Sequence, residues 1–231
     1  MPSTSVDERN AIMAAKIVCI SRTDAAFGEQ VGVLVAERLG FQYVDEEVIA
    51  RAARLAQVDP GVVAAVEKRQ SFLQGLLDKI GAAGAFVEPT ALTVGVPWFA
   101  LSPELNTLSA SPEDLRALIQ LAIQQIAKDG SVVIVAHAAS MTLASRSDVL
   151  RVLITASRET RVRRLAAARG IPEAEAVAEI ANGDRNRRDY FRRFHKVDEE
   201  LPTHYDLVVN TDVLTPEQAV DLAVRAALAG A

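Results

Sequence analysis

Lys16-Ile17-Val18-Cys19-Ile20-Ser21-Arg22-Thr23-Asp24-Ala25-Ala26-Phe27-Gly28-Glu29-Gln30-Val31-Gly32 decides how the rest of this 231-residue chain is read. Residues 17–20 form a short apolar run, the mark of a strand buried on both faces. A polar loop follows to Gly28, and then a helical stretch over residues 29–39. That stretch places Val31, Leu34, Val35 and Leu39 on one stripe and stops at Gly40. Strand, tight loop and helix N-terminus in this order form a cradle for phosphate, because free backbone N–H groups and the helix dipole face the anion. The full pattern of such a loop, G-x-x-x-x-G-K-[ST], carries Lys on the β/γ-phosphates and a hydroxyl on Mg²⁺. Here Gly28 is followed by Glu29 and Gln30.

Outward from that segment, apolar runs at residues 41–44, 132–135, 152–154 and 207–209 read as four more buried strands. Helical patterns separate them, which predicts βαβ units and a parallel sheet. Helices are expected over residues 45–56 and from Asp59-Pro60 to about residue 79. Ser111-Pro112-Glu113-Asp114, Ile171-Pro172 and Thr215-Pro216-Glu217 mark three later helix starts, each with Pro in the first turn. Residues 1–15 read as a disordered tail and 16–231 as a single domain. Residues 81–111 are rich in Gly, Pro, Ala and Ser and read as a connection or a homo-oligomer contact. Trp98 packing against the preceding helix is the plainer account.

Composition narrows the function. Half of the residues are hydrophobic and the net charge is −5, which argues against a general nucleic-acid or membrane-surface binder. Basic residues nevertheless crowd between Arg158 and Lys196. One cysteine, Cys19, excludes disulfide scaffolds and Cys-based zinc sites, and its place in a strand reads as a small buried apolar residue. No metal-ligand spacing surrounds His195 or His204. No apolar run is long enough to span a bilayer, and residues 1–15 lack the apolar core of a signal peptide. A soluble, cytoplasmic protein is expected.

The chain resembles the cytidylate kinase-like family within the nucleoside-monophosphate kinases. The stretch from Ser21 to Gly32 aligns without a gap with that family's S-R-E-Y-G-S-G-G-R-E-I-G loop. Phe41-Gln42-Tyr43-Val44-Asp45-Glu46-Glu47-Val48-Ile49 is similar to its F-x-Y-x-D-x-E-x-I stretch. Ile134-Val135-Ala136-His137-Ala138-Ala139 stands where members read V-I-V-G-R-G-A. Ala156-Ser157-Arg158-Glu159-Thr160-Arg161-Val162-Arg163-Arg164 resembles the A-S-x-E-x-R-x-R-R helix, and Asp184-Arg185-Asn186-Arg187 the D-R-x-R lid segment. Residues 81–110 carry almost none of the resemblance, and departures also fall on the ligand side: Ala25 and Phe27 replace glycines, Glu29 a cation, Ala136 a glycine and His137 an arginine.

The resemblance implies a three-layer α/β/α P-loop NTPase-like fold, with a five-stranded parallel sheet and a helical lid at about residues 170–203. It implies a phosphotransferase moving the γ-phosphate of ATP, with Mg²⁺, to a nucleotide or nucleoside-like small molecule. ATP would sit on Ser21, Arg22 and Gly28. Arg161, Arg164, Asp184 and Arg187 would form the catalytic cluster, the guanidinium groups converging on phosphoryl oxygens. Asp45, His137 and Tyr190 would face the acceptor. Asp45 also reads as a helix N-cap, His137 as a structural histidine and Arg22 as a surface side chain at a strand end. The alternative is a non-catalytic kinase-like module that binds a nucleotide or a partner protein. Loss of the loop cation and glycines favours that reading; retention of the lid arginines favours the enzyme.

Overall fold

In the computed structural model, residues 14–45, 112–136 and 139–229 are described. The expected helices at 45–56 and 59–79, the 81–111 segment with Trp98, His137 and most of the N-terminal tail lie outside them. Five strands form one sheet: β1 (Ile17–Arg22), β2 (Gln42–Asp45), β3 (Val132–Val135), β4 (Val149–Thr155) and β5 (Leu207–Asn210). Their order is β2-β3-β1-β4-β5 and every pairing is parallel. All six residues of the central strand β1 are buried, as a strand flanked on both edges and covered on both faces must be.

Alternation along β1 divides the core in two. Ile17 and Cys19 face α2 (Pro112–Ile126), packing with Val44, Ile119, Ile123 and Ile134. Val18 and Ile20 face α1 (Gly28–Leu39) and α6 (Pro216–Leu228), among Val31, Val35, Val133, Ile154, Val209 and Val220. The predicted three layers and parallel sheet are therefore present. Between them run α3 (Ala139–Thr142), α4 (Arg158–Arg169) and α5 (Glu173–Tyr190), the last continuing into a π turn, Phe191–His195. Val162 and Leu165 of α4 pack on Ala176 and Ile180 of α5, forming a separate small core over the sheet edge.

Local chemistry sets the ends. Gly40 takes φ 67° and closes α1 by donating to the carbonyls of Ala36 and Glu37. Thr215 and Gln218 form a reciprocal capping box behind Pro216. Ser157 caps α4 by accepting from the Thr160 N–H, and Asp212 holds the Ser157 N–H at 2.8 Å. At Gly32, a Cβ would lie 2.3 Å from Cγ2 of Val135. That close approach seats α1 on β3 and fixes its N-terminus at the C-terminal edge of the sheet. No described helix is long and apolar enough to cross a membrane.

Candidate functional site

The loop between β1 and α1 is held by backbone and side-chain bonds to β4. Thr23 N–H donates to the Ile154 carbonyl at 3.1 Å, and its hydroxyl meets that of Thr155 at 3.3 Å. Ala26 N–H returns to the Thr23 carbonyl at 3.2 Å. Ala25 and Phe27 adopt φ 58° and 67°, the left-handed region where the resembling loops carry glycine. For a residue with a Cβ, that conformation costs roughly 1–2 kcal/mol. The loop takes a left-handed backbone at two positions without the glycines that would adopt it freely.

Arg22 ends β1 and folds back over the start of α1. A Cβ on Gly28 would stand 2.3 Å from Cβ of Arg22, so glycine is what lets the arginine cross the helix N-terminus. Its Nε reaches Glu29 Oε1 at 2.7 Å, and Nη1 lies 3.8 Å from Asp24 Oδ1. Arg22 thus brings a cation to the helix N-terminus from the strand, where the usual loop brings Lys from the helix. The expectation of a surface side chain at this position is corrected: Arg22 is buried.

Asp24 packs against Gly183 of α5, where a Cβ would lie 2.1 Å from its Oδ2. Burial raises its pKa above the ordinary carboxylate range; Arg22 opposes the shift and Asp184 adds to it. The stability linked to protonated Asp24 is complete below the ordinary carboxylate range and is lost as pH rises through the raised value. At neutral pH the charged carboxylate therefore weakens the fold. Asp24→Asn is expected to raise Tm at pH 7, with the gain shrinking as pH falls through the raised value and gone below about pH 4, near the unperturbed Asp value. Thermal melts across that range check it; an equal gain at pH 3 would rule out titration as the cause.

Two arginines reach the loop region from the helical pair. Arg161, buried on α4, donates from Nη1 and Nη2 to both oxygens of Asp184 at 2.8 Å, and from Nε to the Ala156 carbonyl. Arg187 of α5 donates from Nη1 to the Arg22 carbonyl at 2.7 Å and from Nη2 to Ser21 Oγ at 3.0 Å. Its Nε meets Glu200 Oε2 at 2.7 Å, and its guanidinium lies over the Phe191 ring. Tyr205 donates its hydroxyl to Glu200; burial and that carboxylate push the phenol upward. Arg164 turns elsewhere, to Thr211 and to the outer side of the loop.

Ser21, Arg22, Gly28, Arg161, Asp184 and Arg187 are thus gathered at the C-terminal edge of β1, with Arg164 behind the loop. Asp45 is not among them: it ends β2, two strands away. Tyr190 packs beside the α2-side core and edge-on to Phe194, with ring centroids 5.0 Å apart. Sequence reasoning gave no individual role to Asp24, Glu200, Tyr205 or Thr211. The acidic run Asp198-Glu199-Glu200, following the arginine-rich stretch, was the available signal for Glu200. Glu159 and Arg163 stand at helical spacing for an ion pair, yet Arg163 donates to the Thr160 hydroxyl at 3.2 Å.

A parallel sheet in the order β2-β3-β1-β4-β5, a tight loop between its central strand and α1, and a helical pair beside that loop define a P-loop kinase-like α/β protein. Residues 17–213 match the Cytidylate kinase-like family, and the chain belongs to it. A cytidylate kinase of Ignicoccus hospitalis is 32% identical over 143 residues, covering 62% of this chain and 80% of that one. One from Sulfolobus acidocaldarius is 29% identical over 120 residues, covering 52% and 65%. Among solved structures, an uncharacterized protein from Eubacterium ventriosum superposes with a TM-score of 0.59 at 16% identity, covering 90% of this chain and 96% of that chain.

Proposed function

We propose that the chain is a nucleotide kinase-like phosphotransferase that moves the γ-phosphate of ATP to a nucleotide or nucleoside-type acceptor. The observation that carries this reading is the convergence of Arg22, Arg161 and Arg187, from three different elements, on Asp24 of the β1–α1 loop, whose charge all three stabilise. Phosphoryl transfer needs positioning and positive charge more than covalent chemistry, and that arrangement supplies both. ATP would lie on the loop from Ser21 to Gly28, through the loop backbone and Arg22, since the Ser21 hydroxyl is already taken by Arg187. The acceptor would lie toward Asp45 and Tyr190. Mg²⁺ would enter with ATP; it keeps several waters and needs one or two carboxylates besides phosphate oxygens. Asp24 and Asp184, whose mutual repulsion helps raise the Asp24 pKa, fit that demand. Among the described residues no larger set of metal-binding side chains occurs. A cytoplasmic location fits a nucleotide substrate.

A second reading, a non-catalytic binding module, is favoured by one specific observation. Each arginine already holds a carboxylate: Arg22 with Glu29, Arg161 with Asp184 and Arg187 with Glu200. With Asp24, four carboxylates face three guanidinium groups. An incoming polyphosphate must displace an internal anion before it gains a cation.

Turnover separates the two. Purified protein is assayed for ADP release from ATP-Mg²⁺ with CMP, other monophosphates and nucleosides, beside thermal-shift titrations with each ligand. Release of ADP that depends on an acceptor supports the kinase; a ligand-dependent shift without turnover supports the binding module. Glu29→Gln releases Arg22 from the nearer of its two carboxylates, and Glu29→Lys adds a cation. At ~4 Å and an effective dielectric near ~20, one unit charge acts on another by about 4 kcal/mol. A fraction of that suffices for the roughly tenfold gain in ATP affinity expected of Glu29→Gln, with a larger gain for Glu29→Lys. Unchanged or weaker affinity in both, measured by calorimetry, would remove ATP from this loop.

A further inference from the structure

Ala25 and Phe27 hold left-handed backbone without being glycine, so something outside the loop must keep them there. Arg164 meets that need on three sides. Its guanidinium carbon lies 4.1 Å from the Phe27 ring centroid, a cation–π stack. Nη1 donates to Thr211 Oγ1 at 3.0 Å and, more weakly, toward the Ala25 carbonyl at 3.4 Å. Nη2 donates to the Thr211 carbonyl at 2.5 Å. Thr211 in turn brings its hydroxyl within 3.2 Å of the Ala26 carbonyl and of the Thr155 carbonyl. Two successive loop carbonyls are drawn outward, toward α4 and the end of β5. In a planar trans peptide the N–H points opposite to the C=O, so holding the Ala26 carbonyl outward turns the Phe27 N–H inward, to the side where an anion docks.

We infer that Arg164, seated on Thr211 and Phe27, is the positioning residue that holds the anion loop in the shape other loops obtain from glycine. The inference rests on the reading of that loop as the ATP site. Planarity is essential to the device: a guanidinium stacks on a ring and donates in its own plane in two directions, while an ammonium does neither. Lysine should therefore fail to substitute. A residue that merely supplied charge to phosphate would tolerate lysine well.

The test uses the full chain with Arg164→Lys, Arg164→Ala and Thr211→Val, read first without ligand. Amide hydrogen exchange over residues 23–28 is expected to quicken at least tenfold in all three, while peptides from β4 and α6 keep wild-type rates. With ATP and the best acceptor, KM for ATP is expected to rise about tenfold while KM for the acceptor stays unchanged. Thr211→Val matters because Thr211 lies behind the loop, so its agreement with Arg164→Lys marks the clamp. Wild-type loop exchange in Arg164→Lys and Thr211→Val overturns the inference, as does equal quickening throughout the chain. If the loop loosens as expected but wild-type protein neither binds nor turns over ATP, the clamp stands and the kinase reading falls.

Discussion

Arg187→Ala is expected to cost about 3–5 kcal/mol of stability, the range for removing one partner of a buried ion pair. The loss is large because three groups depend on that guanidinium at once. Glu200 would keep a largely buried charge with the Tyr205 hydroxyl as its remaining partner, while Ser21 and the Arg22 carbonyl would lose their donor. For a chain of this size, each kcal/mol corresponds to roughly 2–4 °C in Tm. Turnover is expected to fall by about 10³ or more, as when a transition-state arginine is removed from a phosphotransferase. The two effects separate in Arg187→Ala combined with Glu200→Gln. Neutralising the stranded carboxylate should recover much of the stability and none of the turnover. Recovery of both, by denaturant titration and ADP release, would make Arg187 a staple for the helical pair with no share in phosphate chemistry.

Gly28→Ala should be nearly as damaging, although alanine is ordinarily the better helix residue by up to about 1 kcal/mol. The added methyl would sit 2.3 Å from Arg22 Cβ, 2.8 Å from its Cδ and 3.1 Å from its Cγ. Cβ cannot swing away by changing rotamer, since its position is set by the β1 backbone. Either the start of α1 retreats or the end of β1 moves, and such overpacking costs about 1–3 kcal/mol. Both routes break the Arg22–Glu29 contact and displace the cation from the helix N-terminus, so ATP affinity should drop at least tenfold. Arg22→Gly in the same chain removes the obstruction, Cβ included. The double variant should therefore be no less stable than Arg22→Gly alone. If the two substitutions instead add independently in equilibrium denaturation, Gly28 is not needed for the passage of Arg22. Gly183→Ala offers a contrast, because the atom it meets is the movable end of Asp24.

The central part of the fold was legible because β1, its loop and α1 are contiguous and their apolar periodicities differ. Where the strands ran longer than expected, a charged residue had interrupted the pattern. β4 begins at Val149, not at Val152, because Arg151 sits within it and is neutralised by Asp206 through Nε at 3.0 Å and Nη2 at 2.6 Å. Asp206 lies 55 residues further on, and no local pattern announces it. The same reason hid most of the site. Helical spacing put Arg161 and Arg164 on neighbouring positions of one face, and both were expected to face phosphate. In the fold, Arg161 finds Asp184 on α5, while Arg164 finds Thr211 beyond β5. Arginine positions were readable from the chain; their carboxylate partners depend on which distant segments the sheet order brings near.

Cys19 gives the molecule an internal clock. It is the one thiol of the chain, wholly enclosed in the middle of the central strand, and burial pushes its pKa up to about 12. A native protein should therefore ignore alkylating reagents at neutral pH, and labelling can proceed only when the sheet itself comes apart. The rate of thiol modification then reports global opening one molecule at a time, with no engineered probe, and any ligand that grips the folded state should slow it.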